Sequence, residues 1–410
     1  MFLKLQNKTL LEFDMEKGYY KVYEPDLLPF CIRNRIEDNS LKSGDSDYFK
    51  IAYKNSIEMN TFFSGRVLSV NRENAKYILN QLNISQKSDI DTHIKIMKLC
   101  KGLSIADDYW IAESDAEKWE DVNLRTNPLH ETIRQIALFG KSLSITGKIR
   151  TAELTGLGAY AKAWQRIDGK LYLHKAGTLN GSEPQRETLM SDIIDCFNIP
   201  QVKYKLGTIE GKVVTQCENM TSDKYSTIPA GDVMRWCSKV NLDFDTFIRE
   251  LDSETFYKTV VIDYLCANRD RHDGNWGIYM DNNTGKPVCL HPLYDHNNAF
   301  DKDFLKDPTG GICQLIPGKT MKEAAQYAIT RCDFRCVKPV TKDMFFDKEY
   351  YKVFMERASE LGLYKRNNVS LLKKVFFIHE DYIPVTIKNN NVNEYWDKLN
   401  KNDESVKKEP

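Results

Sequence analysis

Two polar clusters in the C-terminal half hold the residue types that phosphoryl transfer needs. The first, "CANRDRHDGNWGIYMD" (266–281), contains Asp270, Arg271, His272, Asp273 and Asn275. The second, "HPLYDHNNAFD" (291–301), contains Asp295. Both are flanked by apolar runs, "FYKTVVIDYLCA" before and "WGIYM" and "PVCLHPLY" after. Polar groups set among core-forming segments need a reason to be there. Asp and Asn oxygens are hard ligands suited to Mg2+, which takes its other ligands from water and substrate phosphates. An Asp that does not touch the metal can accept a proton from an attacking hydroxyl. Asp270 suits that base, while Asn275 and Asp295 suit the metal, as phosphoryl transfer requires. Each residue alone is an ordinary turn former. The set, in this order, points to chemistry.

The elements around the clusters must bring them together. "NNTG" (282–285) reads as the turn of a hairpin between them. An antiparallel hairpin returns the chain to its starting end. Asn275, before the first arm, should therefore lie near Asp295, after the second. From residue 231 onward helical spacing dominates: "GDVMRWCSKV", "NLDFDTFIREL", "SETFYKTVVIDYLCA", "EYYKVFMERASELGLY" and "SLLKKVFFIHEDYI". Upstream, 141–177 reads as strand, Gly turn, strand, tight turn, strand, with Asp168-Gly169 as a strong hairpin signal. A helix follows over 182–199, opened by Ser182 with Pro184 in its first turn. A second hairpin over 204–220 turns at Glu210-Gly211. This order predicts a small, mainly antiparallel sheet with one helix. Residues 1–140 mix short strands and helices, with helical spacing in "NRENAKYILNQLN" (71–83) and "PLHETIRQIALFG" (128–140). The stretch 33–47 reads as a loop. Nothing in this region shows recognisable chemistry.

The bulk properties limit the function classes. At roughly 150 residues per domain, 410 residues imply two or three domains. Apolar residues make up 41%, enough for a substantial core. The 58 basic and 58 acidic residues balance, which argues against a generally basic nucleic-acid binder. No apolar run approaches the roughly 20 residues of a membrane span, and no signal-peptide pattern is evident. A soluble, cytoplasmic protein is expected. The ten cysteines are scattered among apolar neighbours and read as reduced, mostly buried thiols. Cys332 and Cys336 lack the companion ligands of a zinc site.

"DRHDGN" resembles the catalytic loop of phosphoinositide kinases and that of the HipA-like bacterial Ser/Thr kinases. "LYDHNNAF" is similar to the HipA-like form of the kinase metal-binding motif, and the likeness covers about 145–385 in element order. It implies an α+β, two-lobed protein-kinase-like fold. In that fold 1–140 is an N-terminal accessory region, 141–220 the nucleotide-binding N-lobe, 221–390 the helical C-lobe and 391–410 a polar tail. It implies ATP and Mg2+ as cofactors and a protein Ser/Thr acceptor as substrate. A small antitoxin-like DNA-binding partner is implied as well, with no direct nucleic-acid or membrane binding.

The resemblance also assigns roles. Lys175 in "LYLHKAG" would hold the ATP phosphates, paired with Glu187 of the following helix, Glu183 being the weaker partner. Gly156 and Gly158 in "ELTGLGAYAK" would let backbone amides approach phosphate, without a full GxGxxG. Lys162 would assist phosphate binding or simply be solvated. The backbone of Gln216, Cys217 and Glu218 would bond adenine. Arg271 and His272 would brace the catalytic loop or touch phosphate, with His296 supporting and Trp276 in the core. Hydroxyls at Ser142, Ser144, Thr146, Thr151 and Thr155 lead into the phosphate loop and are candidates for regulatory phosphorylation. Three alternatives stay open. They are a phosphoinositide or small-molecule kinase, a non-catalytic pseudokinase binding module, and a metal-dependent phosphohydrolase. The last would leave the Lys175–Glu187 pairing unexplained.

Overall fold

The computed structural model describes residues 1–41, 46–87, 89–156, 158–178 and 181–363. The expected helix over 370–383 and the tail lie outside the described residues.

The N-terminal region contains β1 (Phe2–Leu5), β2 (Lys8–Asp14), β3 (Tyr19–Val22), α1 (Ser46–Ser64), α2 (Ala75–Gln81), α3 (Ile90–Cys100), β4 (Tyr109–Ala112) and α4 (Glu131–Phe139). Its strands form an antiparallel sheet in the order β3-β2-β1-β4. α4 shows why these segments are helical. Ile133, Ile136 and Ala137 are buried at helical spacing, and Gly140 closes the helix at φ 68°.

The middle of the chain contains β5 (Lys162–Ile167), β6 (Lys170–Ala176), α5 (Glu183–Asp195), β7 (Tyr204–Ile209) and β8 (Lys212–Glu218). They form a four-stranded antiparallel sheet, β5-β6-β8-β7, on which α5 packs. Both hairpins turn where expected. Asp168 and Gly169 sit at φ 48° and 80°, and Glu210 and Gly211 at 47° and 79°. Two consecutive positive φ values match the right-handed twist of paired strands.

The strand expected ahead of this sheet does not form. Residues 141–150 carry no strand pairing, and β5 is the sheet edge. Ser142, Ser144 and Thr146 are exposed, while Ile145 and Ile149 are partly buried against the core without entering a ladder. Thr151 and Thr155, by contrast, are buried, which removes them as accessible phosphorylation sites.

The C-terminal part runs β9 (Tyr225–Pro229), α6 (Ala230–Lys239), α7 (Phe244–Leu265), β10 (Gly277–Asp281), β11 (Pro287–Leu290), α8 (Lys302–Leu305), α9 (Met321–Ala328) and α10 (Lys348–Glu360). The hairpin β10–β11 turns through 282–285, as expected. β9, which has no clear signature in the sequence, pairs with β10 to complete a three-stranded sheet. α7 is two helices joined at Asp252 (φ −159°), whose carboxylate accepts from the Thr255 and Leu290 amides. That break falls where the sequence separates two helical stretches.

The arrangement is α+β with a sheet-bearing lobe followed by a mainly helical one. One apolar core runs from Leu3 to Ala358 and takes in the N-terminal region. Polar ties add to it. Arg33 Nη1 donates to the Gly285 carbonyl at 2.7 Å, and Arg125 Nε donates to Asp108 at 2.9 Å while its Nη1 donates to Thr221. Seven of the ten cysteines are buried and all are free thiols. Trp276 is buried against Phe244 and Phe256. Among the described residues no helix is long and apolar enough to cross a membrane.

Candidate active site

α7 ends just ahead of the first polar cluster, and its last turn supplies the anchor. Asp263, buried, receives the Nε and Nη2 of buried Arg271, both at 2.9 Å. The Nη1 of Arg271 donates to the carbonyls of Asn275 at 2.8 Å and Tyr294 at 3.0 Å. Its Nη2 lies 3.1 Å from Nδ1 of His296. One guanidinium thus fastens a helix end, the loop at 270–275 and the loop at 294–296. Burial opposes its charge, but the Asp263 carboxylate outweighs burial and raises its pKa. Burial and the Arg271 charge hold His296 well below its usual range, hence neutral, so Nδ1 serves as the acceptor. Arg271→Lys keeps the charge and loses the fork. We expect a loss of about 1–3 kcal/mol in stability, the range for hydrogen bonds to charged groups, read by chemical denaturation.

Asp270 is held on both sides. Its carboxylate accepts from Asn298 Nδ2 at 2.7 Å, and its carbonyl accepts from Asn275 Nδ2 at 2.7 Å. With Nδ2 of Asn275 turned onto Asp270, its Oδ1 is the atom left for a cation. His272 does not brace the loop by packing. Its side chain is exposed, Nδ1 accepts from the Gly274 amide at 3.0 Å, and Nε2 stands 3.9 Å from Asp270. Bracing by burial falls to Arg271 alone of the two, while His272 ties the loop only through the Gly274 amide.

Across the Arg271 tie, Lys175 near the end of β6 meets two carboxylates. Its Nζ is 3.2 Å from Glu187 Oε1 and also hydrogen-bonds Asp295 Oδ1. Glu187, fully buried on α5, accepts a second bond from Thr215 Oγ1 at 2.8 Å. Glu183 instead accepts from Thr178, so Glu187 is the Lys175 partner. Burial would raise the Asp295 carboxyl, but the Lys175 ammonium outweighs it, with Lys162 assisting, and holds it at about 2. Burial also raises Glu187, and there it prevails, so its carboxyl is pushed up despite Lys175. Asp295 adopts φ 58°, a conformation that Asp and Asn tolerate better than other side chains.

Lys162 on β5 is registered opposite Lys175. A Cβ on Gly158 would lie 2.7 Å from the Lys162 ammonium, so this glycine lets the loop close over it. Burial and the Arg72 guanidinium pull Lys162 down to about 7, against Asp295 and Glu187, which favour its charge. An unfolded lysine titrates near about 10.4. Between those values the unfolded chain binds more protons, so this group makes stability rise with pH. The unfolding free energy of the wild type minus that of Lys162→Met should therefore climb from about pH 7 to about pH 10. A difference that falls over this range contradicts the assignment.

The adenine side differs from expectation. Gln216 and Cys217 lie inside the sheet, registered with His174 and Leu173 on one side and with Lys205 and Tyr204 on the other. Their backbone groups are committed to the ladder. Glu218 is registered only with Tyr172, and the Asn219 amide donates to the Leu171 carbonyl at 2.8 Å, so the backbone begins to be unregistered on the β7 side at Glu218.

Sequence reasoning missed several residues of the site. Asp263, Thr215 and Asn298 orient Arg271, Glu187 and Asp270. Arg72 lies beneath the glycine-containing loop. Asn298, in the same polar run as Asp295, was the one with a readable signal.

The residues suit a phosphate-bound magnesium ion. Asp295 stays ionised, and one carboxylate with one amide oxygen leaves the remaining positions to phosphate and water. Among the described residues no group of three or more His, Cys, Asp or Glu is placed to hold a metal, so a cation here depends on substrate oxygens.

No family model and no curated protein matches the sequence. Solved structures similar to this chain include the following two. One is HipA of Shewanella oneidensis MR-1, in a toxin–antitoxin complex with HipB and operator DNA. It is 11% identical, covers 92% of this chain and 99% of its own, and has a TM-score of 0.49. The other is CtkA, a Helicobacter pylori proinflammatory kinase, 15% identical, covering 48% of this chain and 90% of its own, with a TM-score of 0.32. HipA gives its name to the kinase family that the two motifs resemble. These likenesses concern the course of the backbone, whereas the chemistry of the site rests on its side chains.

Proposed function

We propose that this protein is an ATP- and Mg2+-dependent kinase that transfers the γ-phosphoryl group to a Ser or Thr hydroxyl of a protein. The observation that carries the reading is Lys175, held at once on Glu187 and Asp295 and joined through Arg271 to the loop bearing Asp270. Phosphoryl transfer depends mainly on positioning and charge stabilisation. Lys175 neutralises nucleotide phosphate and is positioned by Glu187. Asp295 and the Asn275 Oδ1 would hold the magnesium ion, which when bound would supply charge neutralisation at the transferring phosphate. Asp270, steadied by Asn298, orients the acceptor hydroxyl and takes its proton. Gly156, Gly158 and Lys162 form the phosphate side, and backbone from Glu218 onward forms the adenine side. On this reading 141–220 is the nucleotide-binding lobe, 221–390 the catalytic lobe and 1–140 the accessory region, in a cytoplasmic protein. The motif resemblance supports an antitoxin-like DNA-binding partner.

The test is incubation with labelled ATP and Mg2+, followed by mass spectrometry of this protein and of a cognate lysate. Phosphate on Ser or Thr supports the reading. Label in lipid or a small metabolite favours the phosphoinositide-like alternative. Free phosphate without a labelled acceptor indicates a phosphohydrolase, and nucleotide binding without turnover indicates a pseudokinase.

A further inference from the structure

The loop that carries Gly156 and Gly158 is fastened from the N-terminal region. Arg72, just ahead of α2, is 4% exposed. Its Nη1 donates to the carbonyls of Glu153 at 3.2 Å and Gly156 at 3.4 Å, and its Nη2 to that of Lys162 at 2.6 Å. The next residue, Glu73, donates its amide to the Ala159 carbonyl at 2.9 Å. Leu68 does the same to Leu154 at 2.8 Å, and Thr155 Oγ1 donates to the Leu103 carbonyl. A Cβ on Gly156 would stand 3.1 Å from Arg72 Nη1, so the glycine admits the guanidinium.

Hydrogen bonds to the carbonyls of Glu153, Gly156, Ala159 and Lys162 fix the loop backbone on both sides of Gly158. A backbone fixed in this way is what a phosphate held on amides requires. A buried arginine also resists deprotonation, so the support keeps its charge at neutral pH. A Cβ on Gly156 would stand within 4.0 Å of both the Arg72 guanidinium and the Lys162 side chain, and Lys162 is registered opposite Lys175.

Resting on the kinase reading above, we propose that Arg72 is a positioning residue of the phosphate-binding loop. The N-terminal region is then part of the nucleotide site rather than an appendage to it. Arg72 does not touch the nucleotide. It fixes the backbone of the loop that does.

The test uses the full chain as wild type, Arg72→Gln and Arg72→Lys, each titrated with ATP and Mg2+ and separately with adenosine. Arg72→Gln should weaken ATP roughly 10- to 100-fold, the equivalent of losing hydrogen bonds to a charged group, while adenosine affinity is retained. Arg72→Lys, which keeps the charge and part of the contact, should recover some of the ATP affinity. A residue with only a structural role would weaken both ligands in parallel with a fall in melting temperature, in both variants, and that result overturns the proposal. Equal ATP affinity in the wild type and Arg72→Gln overturns it as well, and leaves the kinase reading standing. A wild type that binds no nucleotide overturns both.

Discussion

Asp270→Asn should bind nucleotide within a few-fold of the wild type and lose nearly all transfer, on the order of 10²–10⁴-fold, the usual general-base contribution. The geometry makes this a clean substitution. Asn298 Nδ2 donates to the Asp270 carboxylate at 2.7 Å, and an amide oxygen can accept that bond as well. The Asn275 bond falls mainly on the Asp270 carbonyl, which no side-chain change removes. Charge and basicity are lost while position is kept. Lys175, Glu187 and Asp295 lie across the Arg271 tie and are untouched, so the phosphates keep their partners. Radiolabel transfer and ATP calorimetry on the same preparation check both halves. A variant that melts with the wild type and retains full transfer would remove Asp270 from the mechanism.

Asp295→Asn should abolish most of the magnesium dependence of nucleotide binding and lower transfer on the order of 10²–10³-fold, the range for losing one preorganised charge-stabilising group. Mg2+ prefers a hard anionic oxygen, and Asn275 offers only a neutral one. Asparagine is the substitution that spares the backbone, because it tolerates the left-handed conformation at φ 58°. Lys175 keeps its Glu187 partner, so its ammonium is not left buried without a carboxylate. The Asp295 carboxyl is held at about 2. Its contribution to stability is complete above its unfolded value of about 3.9 and is lost as pH falls from there through about 2. Acid destabilisation well above about pH 4 therefore has another source. Calorimetry of ATP binding with and without Mg2+ reads the effect, and unchanged metal dependence would rule the assignment out.

Much of the site was legible because it rests on local rules. Asp168-Gly169 and Glu210-Gly211 announce their hairpins, since few residue pairs accept two positive φ values in succession. Once β10 and β11 are recognised as an antiparallel pair, the return of the chain places the Asn275 and Asp295 loops together. Glu187 is the partner of Lys175 because it stands on the first helix after that strand.

What was not legible depends on sites far apart in the chain. Residues 141–150 alternate like a strand, yet Ile145 and Ile149 pack against the core without the stretch joining the open β5 edge. β9 is short and unremarkable until β10 lies beside it. Gln216 and Cys217 read as a hinge but lie between two strands that take up their backbone groups. Arg72 looks like any surface arginine in "NRENAK", because a side chain's identity does not record its burial. By itself, then, the sequence determined the reactive residue types, their order and the turns between them, all matters of neighbouring residues. The tertiary structure decided which polar side chains are buried, which carbonyls they meet and which strands close a sheet. Those outcomes come from contacts between distant segments, whose free energy arises only when the segments exclude water together.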